Sequence, residues 1–216
     1  MHLAPHDSDK ELALALGRGI RTPVEALRIV LEDLESGTTS LDAMPGASDL
    51  LGRVQKSVLE IEEFCRPAQI ESMTCTAAEI VGGVRNAFEQ RDRMRLMIAV
   101  ETPDQAIDTD ETLLVRSLVR LVENGLEASA GVVMLHVSTT EGGLAFAVVD
   151  HGPGGLDLAR DKEPFHTTKR GRVGLGLTLA ARDIARLGGR LVAESRPGST
   201  RFLVAVDNSH KIEEAA

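Results

Sequence analysis

Tryptophan and tyrosine are absent from this chain, and phenylalanine occurs only five times in 216 residues. Its core must therefore be aliphatic, and modules that grip nucleic acid by stacking bases on aromatic rings are not expected. Positive charge is also in deficit. The net charge of -9 favours neither nucleic acid nor anionic lipid as a partner. No apolar run approaches the roughly 18 residues needed to span a membrane. The first ten residues, MHLAPHDSDK, lack the basic start and apolar stretch of a secretory signal. Only two cysteines occur, Cys65 and Cys75, at no metal-ligand spacing. They read as free thiols in a reducing compartment, which points to a cytoplasmic location. What remains, 43% hydrophobic and 26% charged residues, is the composition of an ordinary soluble protein of one large domain or two small ones.

The hydrophobic periodicity divides the chain in two. Over residues 10–36, Leu12, Leu16, Ile20, Leu27, Leu31 and Leu34 recur at spacings of three, four and seven and predict one long helix. Ser8 or Asp9 is placed to cap it and Gly37 to stop it. Pro23, inside the pattern, is expected to kink it. Ser36 to Ser48, with Gly37, Pro45 and Gly46, reads as a loop. A second helix presents Leu50, Leu51, Val54, Val58, Ile61 and Phe64 on one face and stops at Pro67. A two-helix hairpin cannot bury its own stripe, so a second copy completing a four-helix bundle is expected.

From about residue 73 the pattern changes. Helices are predicted over 77–92 and 110–129, and strands over 95–101, 132–139 and 144–150. The last two strands are joined by Glu141-Gly142-Gly143. A Gly/Pro-containing loop covers 151–173, and a helix runs from Gly174 to Leu187 with Gly188-Gly189 as its stop. Two further strands, LVAES and TRFLVAV, flank Arg196-Pro197-Gly198. The expected fold class is α+β: a helical hairpin over 1–70, then an α/β sandwich over 71–216 with helices on one face of its sheet. There is no internal repeat.

Three segments of the second half carry chemistry. Leu121-Val122-Glu123-Asn124-Gly125-Leu126-Glu127-Ala128 lies on the long helix. Asp150-His151-Gly152-Pro153-Gly154-Gly155 ends a strand. Pro164-Phe165-His166-Thr167-Thr168-Lys169 precedes Gly174-Leu175-Gly176-Leu177 at a helix start. A carboxylate such as Asp150 accepts hydrogen bonds from an exocyclic amine like that of adenine. Gly152 and Gly154 let the backbone approach a flat ring. Gly174 and Gly176, with Leu175 between them, expose backbone N–H groups to phosphate oxygens at a helix start, and Lys169 beside Thr168 supplies a cation. Asn124 offers a neutral oxygen to Mg²⁺, and Glu123 is placed to polarise an attacking group. Singly, each motif is more often a turn, a packing device or a solvated helix position. In this order and on these elements, together they are specific.

The set resembles the ATP-binding catalytic domain of sensor histidine kinases, part of the superfamily shared with gyrase and the heat-shock chaperones. Leu121–Ala128 matches the family's asparagine motif, Asp150–Gly154 and Gly174–Leu177 its glycine motifs, and Pro164–Lys169 its phenylalanine motif. Gly198-Ser199-Thr200-Arg201-Phe202 matches its final strand. Gly19-Ile20-Arg21-Thr22-Pro23 falls where the family has its histidine box, and Glu63-Phe64-Cys65-Arg66-Pro67 where its second hairpin helix ends. The resemblance covers residues 10–206. It implies adenine held by Asp150, Mg²⁺ held by Asn124, a lid over 154–173, a homodimer, and transfer of the γ-phosphoryl group to a hairpin histidine and then to a receiver domain.

The departures are as informative. The position of the phosphate-accepting histidine is Arg18, which stays protonated and accepts nothing. The acidic residue that follows in the family is Gly19 here. His2 and His6 precede the first hairpin helix, and His136, His151, His166 and His210 lie in or after the second half. Arg120 stands where the family often has a second polar residue of the asparagine motif. Arg172 replaces a glycine of the second glycine motif, where it either blocks the phosphates or pairs with them. Two readings follow. In one, the chain binds ATP or ADP and docks a receiver domain or partner kinase through Arg18 and Thr22, without phosphorylating its own hairpin. In the other, the retained Glu123, Asn124, Asp150 and Lys169 make it an ATPase, kinase or phosphatase acting on a partner.

Overall fold

The computed structural model describes residues 20–35, 44–65, 69–167 and 173–207. Two units compose the chain: residues 1–68 with 162–176, and residues 69–161 with 177–216.

The first unit contains a helix pair, α1 (Thr22–Glu35) and α2 (Met44–Cys65), packed against each other. The α-helical pattern of α1 begins at Thr22, directly after a π-type turn at Ile20–Arg21. Pro23 thus lies next to a π-type departure from α-helical pairing, the kind of irregularity expected where a proline removes a backbone donor; in a helix's first turn the same missing donor costs nothing. The same physics corrects the loop expected to reach Ser48. α2 begins at Met44, with Pro45 and Gly46 in its first turn. It ends at Cys65, two residues before Pro67. Residues 10–19, the cap at Ser8 or Asp9, and Gly37 lie outside the described residues. Each helix leaves a pair of aliphatic side chains one heptad apart in solvent. In α1 these are Val24 and Leu31, 47% and 49% exposed; in α2, Leu51 and Val58, 50% and 38% exposed.

The second unit is built on a five-stranded sheet. Its strands are β2 (Leu96–Val100), β4 (Val133–Thr139), β5 (Gly143–Asp150), β6 (Arg190–Arg196) and β7 (Ser199–Asp207), in the order β2-β4-β5-β7-β6. β2 runs parallel to β4 and the other pairs are antiparallel. The strand predictions at 95–101, 132–139 and 144–150 hold to within a residue or so at each end. Alternation decides which face is covered. Val133, Leu135 and Val137 of β4 and Phe202, Val204 and Val206 of β7 point into the core, whereas Met134 stays half in solvent.

Two helices pack on that face and on each other: α3 (Ala77–Asn86) and α5 (Glu111–Ala128). A third, α7 (Gly176–Arg186), contributes Leu177, Ala180 and Ile184 to the same core. α3 starts with a capping box in which the Thr76 hydroxyl accepts the Glu79 N–H and the Glu79 carboxylate accepts the Thr76 N–H. Asp110 caps α5 by accepting the Leu113 N–H at 2.8 Å. Leu114, Leu118, Leu121 and Val122 of α5 are fully buried, and each such side chain contributes roughly 1.5–3 kcal/mol.

The helix expected over 77–92 is two helices, α3 and the single turn α4 (Gln90–Arg93). Arg93 holds the break, its side chain donating to the Phe88 carbonyl at 2.6 Å and the Asn86 carbonyl at 3.3 Å. A two-stranded antiparallel sheet of β1 (Met73–Thr76) and β3 (Ala106–Thr109), and the short helix α6 (Leu158–Asp161) within the 151–173 segment, were not apparent from the sequence.

Candidate nucleotide site

Asp150 ends β5, the central strand of the sheet, and is 2% exposed. A buried carboxylate is costly unless hydrogen bonds hold it. One is explicit: Asp150 Oδ1 accepts the Gly152 N–H at 2.8 Å. The strand-to-loop turn is tied to the β6–β7 hairpin. The Ser199 hydroxyl donates to the Asp150 carbonyl at 3.2 Å, the Gly198 N–H to the Pro153 carbonyl at 3.3 Å, and the Leu156 N–H to Ser195 Oγ at 3.0 Å.

The glycines beside Asp150 sit where the chain packs too closely for a side chain. A Cβ on Gly125 would lie 3.2 Å from the Asp150 Cβ, and one on Gly152 would lie 2.8 Å from the Ala128 carbonyl oxygen and 2.9 Å from Asp150 Oδ1. Gly154 has a φ of 73°, and a Cβ there would collide with the Arg196 carbonyl. A fixed, buried acceptor at a strand end is the kind of group that can take the exocyclic amine of an adenine. Asn124 precedes Gly125 on α5, and Glu123 precedes Asn124; both are half-buried. Asn124 is a neutral oxygen donor suited to Mg²⁺, but no cluster of three or more His, Cys, Asp or Glu side chains able to hold a metal occurs among the described residues.

The remaining predicted residues belong to the other unit. There, Phe165 is buried at a φ of 66°, its N–H donates to the Gly174 carbonyl at 3.0 Å, and its ring meets that of Phe64 edge-on at 5.5 Å. Gly174 has a φ of 81°, Leu175 is fully buried, and Gly176 opens α7. Arg18, Thr168, Lys169 and Arg172 lie outside the described residues, and the Thr22 side chain is not described.

Sequence reasoning passed over several residues that the structure brings forward. Thr200 pairs with Asp150 across β5 and β7 and is 6% exposed; its signal was its place in the final-strand motif. Arg120, read as a departure from the asparagine motif, is buried and pairs with Asp183 Oδ2 at 3.4 Å. Asp183 is fully buried, and Arg116, Arg182 and Arg186 also reach it. An acidic residue standing on the apolar period of Leu179, Ala180, Ile184 and Leu187 was the available sign of that cluster.

Residues 109–210 match the family described as histidine kinase-, DNA gyrase B- and HSP90-like ATPases. The C4-dicarboxylate transport sensor protein DctB of Rhizobium meliloti (strain 1021) is 26% identical over 209 residues, covering 90% of this chain and 34% of that protein. The chain thus spans about a third of that relative's length. The histidine kinase AdeS of Acinetobacter baumannii superposes with a TM-score of 0.68 at 18% identity, covering 88% of this chain and 97% of that one. Histidine kinase ThkA, solved in complex with the response regulator TrrA, superposes with a TM-score of 0.71 at 20% identity, covering 88% and 58%. Residues 109–210 thus carry the histidine kinase-like ATPase match, and the similar proteins and folds support an ATP-binding catalytic core of the sensor histidine kinase type.

Proposed function

We propose that this protein is a cytoplasmic, histidine-kinase-like signalling dimer. It binds ATP or ADP in the 71–216 part and docks a receiver domain or a partner kinase through the hairpin of residues 1–70, without phosphorylating that hairpin. The observation that carries the nucleotide reading is Asp150, a buried carboxylate held at a strand end among close-packed glycines. Asp150 orients the base, Thr200 across the strand pair offers it a second polar group, and Asn124 would hold Mg²⁺. The nucleotide, when bound, brings a transferable phosphoryl group. The acceptor for it is what the hairpin lacks, because Arg18 offers only donors where a nucleophile is needed.

The exposed heptad pairs support the dimer. Val24 with Leu31, and Leu51 with Val58, make an apolar seam on each helix that a second hairpin would cover. The complex of ThkA with TrrA supports a receiver domain as partner. Isothermal titration with ATP and Mg²⁺, followed by incubation with γ-labelled ATP, tests the reading. Binding without an acid-labile, base-stable phosphate on the chain is expected. Such a phosphate, or loss of nucleotide binding altogether, overturns it. The second reading, an enzyme acting on a partner protein, is favoured by Glu123 next to Asn124; label appearing on an added receiver domain would select it.

A further inference from the structure

The five-stranded sheet has two faces, and α3, α5 and α7 cover one of them. Alternation along each strand sends every second residue to the other face. Where an antiparallel sheet turns one face to water, those outward positions are commonly polar. Here the central strand β5 places Ala145, Ala147 and Val149 there, between the core residues Leu144, Phe146 and Val148. Val149 pairs with Met134 of β4, and Met134 with Met97 of β2, so the three stand side by side on the open face. Met97 is 55% exposed and Met134 41%. In the next row, Ala147 pairs with Leu203 of β7, and Leu203 with Val192 of β6, which is also exposed. Apolar side chains left in solvent side by side, rather than scattered singly, mark an interaction surface.

The charges on this face are sorted. β6 and β7 present Arg190, Arg196 and Arg201 against Glu194, with Asp207 at the far end of β7. Arg201 and Glu194 are 3.9 Å apart and both exposed, a weak pair that leaves this flank positive. At the opposite edge stand Glu101 and His136, with His136 Nε2 3.2 Å from the Glu101 carboxylate. A basic flank on a chain of net charge -9 is a local reversal of sign. Charge complementarity of this kind sets orientation and speeds encounter. Beside it, Val149, Glu194, Arg196, Ser199 and Arg201 line a hollow of about 260 Å³. The two guanidinium groups there suit a carboxylate side chain. Methionine and arginine are also among the residues that interfaces concentrate.

We propose that the open face of the sheet docks an amphipathic helix of a partner protein. The helix is apolar where it lies on Met97, Met134 and Val149, and acidic along the side that meets Arg196 and Arg201. A helix is the occupant because the same sheet already receives three helices by their apolar stripes on its other face, and because methionine side chains adapt to a foreign surface. This surface belongs to the sheet-based unit, apart from the hairpin, and its use does not depend on nucleotide.

The chain has neither tryptophan nor tyrosine, so one tryptophan in a peptide reports its own binding by fluorescence. The probe is a designed helical peptide of about 18 residues, five turns, with leucine on one face, glutamate on the flanks and a single tryptophan. Its counterpart carries lysine in place of glutamate. Titrated into the full chain, the glutamate peptide is expected to bind at least tenfold tighter than the lysine peptide, the reverse of what the net charge alone would give. Arg196→Glu with Arg201→Glu should invert that preference, and Met134→Gln should weaken the glutamate peptide about tenfold. A melting curve within a few degrees of the parent confirms that each variant folds. Leu51→Glu, on the hairpin, should leave peptide binding unchanged. Failure of both peptides to bind, a preference for lysine, or a glutamate preference that ignores the arginine and methionine changes overturns the proposal. Loss of peptide binding in Leu51→Glu also overturns it, by moving the contact to the hairpin. A change of oligomeric state in Met134→Gln would assign the face to a second copy instead. Binding of phosphatidylglycerol vesicles through the same arginines, with neither peptide bound, would assign it to a membrane.

Discussion

The hairpin and the sheet-based unit use similar aliphatic residues to opposite ends. In the sheet-based unit, Leu114, Leu118, Leu121, Leu135 and Phe146 are completely buried within one chain. In the hairpin, Leu51 is 50% exposed and Leu59 63%. A sheet with three helices on one face closes its core by itself, whereas two helices form a single contact and leave the opposite stripes wet. The sheet-based unit buries its aliphatic residues, and the hairpin keeps several of its own in solvent.

The largest effect that would break this contrast is a core truncation. Phe146→Ala on the central strand should cost about 3–5 kcal/mol, because a fully buried ring leaves a cavity that a close-packed core does not collapse. Chemical denaturation followed by circular dichroism reads the loss. Sedimentation at concentrations where the variant remains folded should still show the dimer. If the dimer disappears with the core intact, the sheet-based unit carries the association.

The reciprocal change lies in the hairpin. Leu51→Glu removes an aliphatic side chain whose full burial would be worth about 1.5–3 kcal/mol, and a dimer loses it twice. Dimerisation should weaken by tenfold or more in a sedimentation series, with the denaturation midpoint of the sheet-based unit unmoved. A dimer indifferent to Leu51→Glu would show that the seam read from Val24, Leu31, Leu51 and Val58 is not the interface.

How much of this was legible in the sequence follows the same divide. Long periodic segments read well: α5 was expected over 110–129 and spans Glu111–Ala128. Asp150 was expected at a strand end and is there, because a β-period run followed by Asp-x-Gly-x-Gly leaves few alternatives. Short elements escaped. β1 and β3 have four residues each, too few for alternation to show, and they exist because each pairs with the other across a gap of about thirty residues. The boundary at Met44 was missed because Pro45 and Gly46 were read as loop punctuation, although a proline in a first turn favours helix initiation. The arginine cluster was invisible for a different reason. Its charges come from two helices about sixty residues apart, and only the fold brings Arg116 and Arg120 to Asp183.

A smaller effect sharpens the contrast at one helix end. Thr76→Ala removes the hydroxyl that accepts the Glu79 N–H at 3.2 Å and leaves half of the capping box. About 1 kcal/mol of stability should be lost from the sheet-based unit. Thr76→Ser should restore most of it, whereas a loss of several kcal/mol would mean that the hydroxyl also holds β1 to β3.

The smallest effect at neutral pH, and the finest probe of the two units, is the pair of cysteines. Cys75 is buried in β1 and Cys65 is exposed at the end of α2. Burial, joined by the negative charges of Glu111, Glu79, Asp108 and Asp110, pushes the Cys75 thiol up to about 11. Both causes disfavour the thiolate, which is the reactive form. In the native protein, a thiol reagent at pH 8 should therefore modify Cys65 quickly and Cys75 only at the rate of local opening, with both reacting at once in denaturant. The sign for stability follows from proton binding. Between the unfolded value near 9 and the folded value near 11, the native state holds a proton that the unfolded chain has released. The stability contributed by the protonated thiol is thus fully present below about pH 9 and is lost as pH rises toward 11. Cys75→Ala should flatten that alkaline decline without altering it below pH 8. Equal reaction of both thiols in the native state would show that β1 opens as freely as the end of α2, and the sheet-based unit would then be less complete than its burial implies.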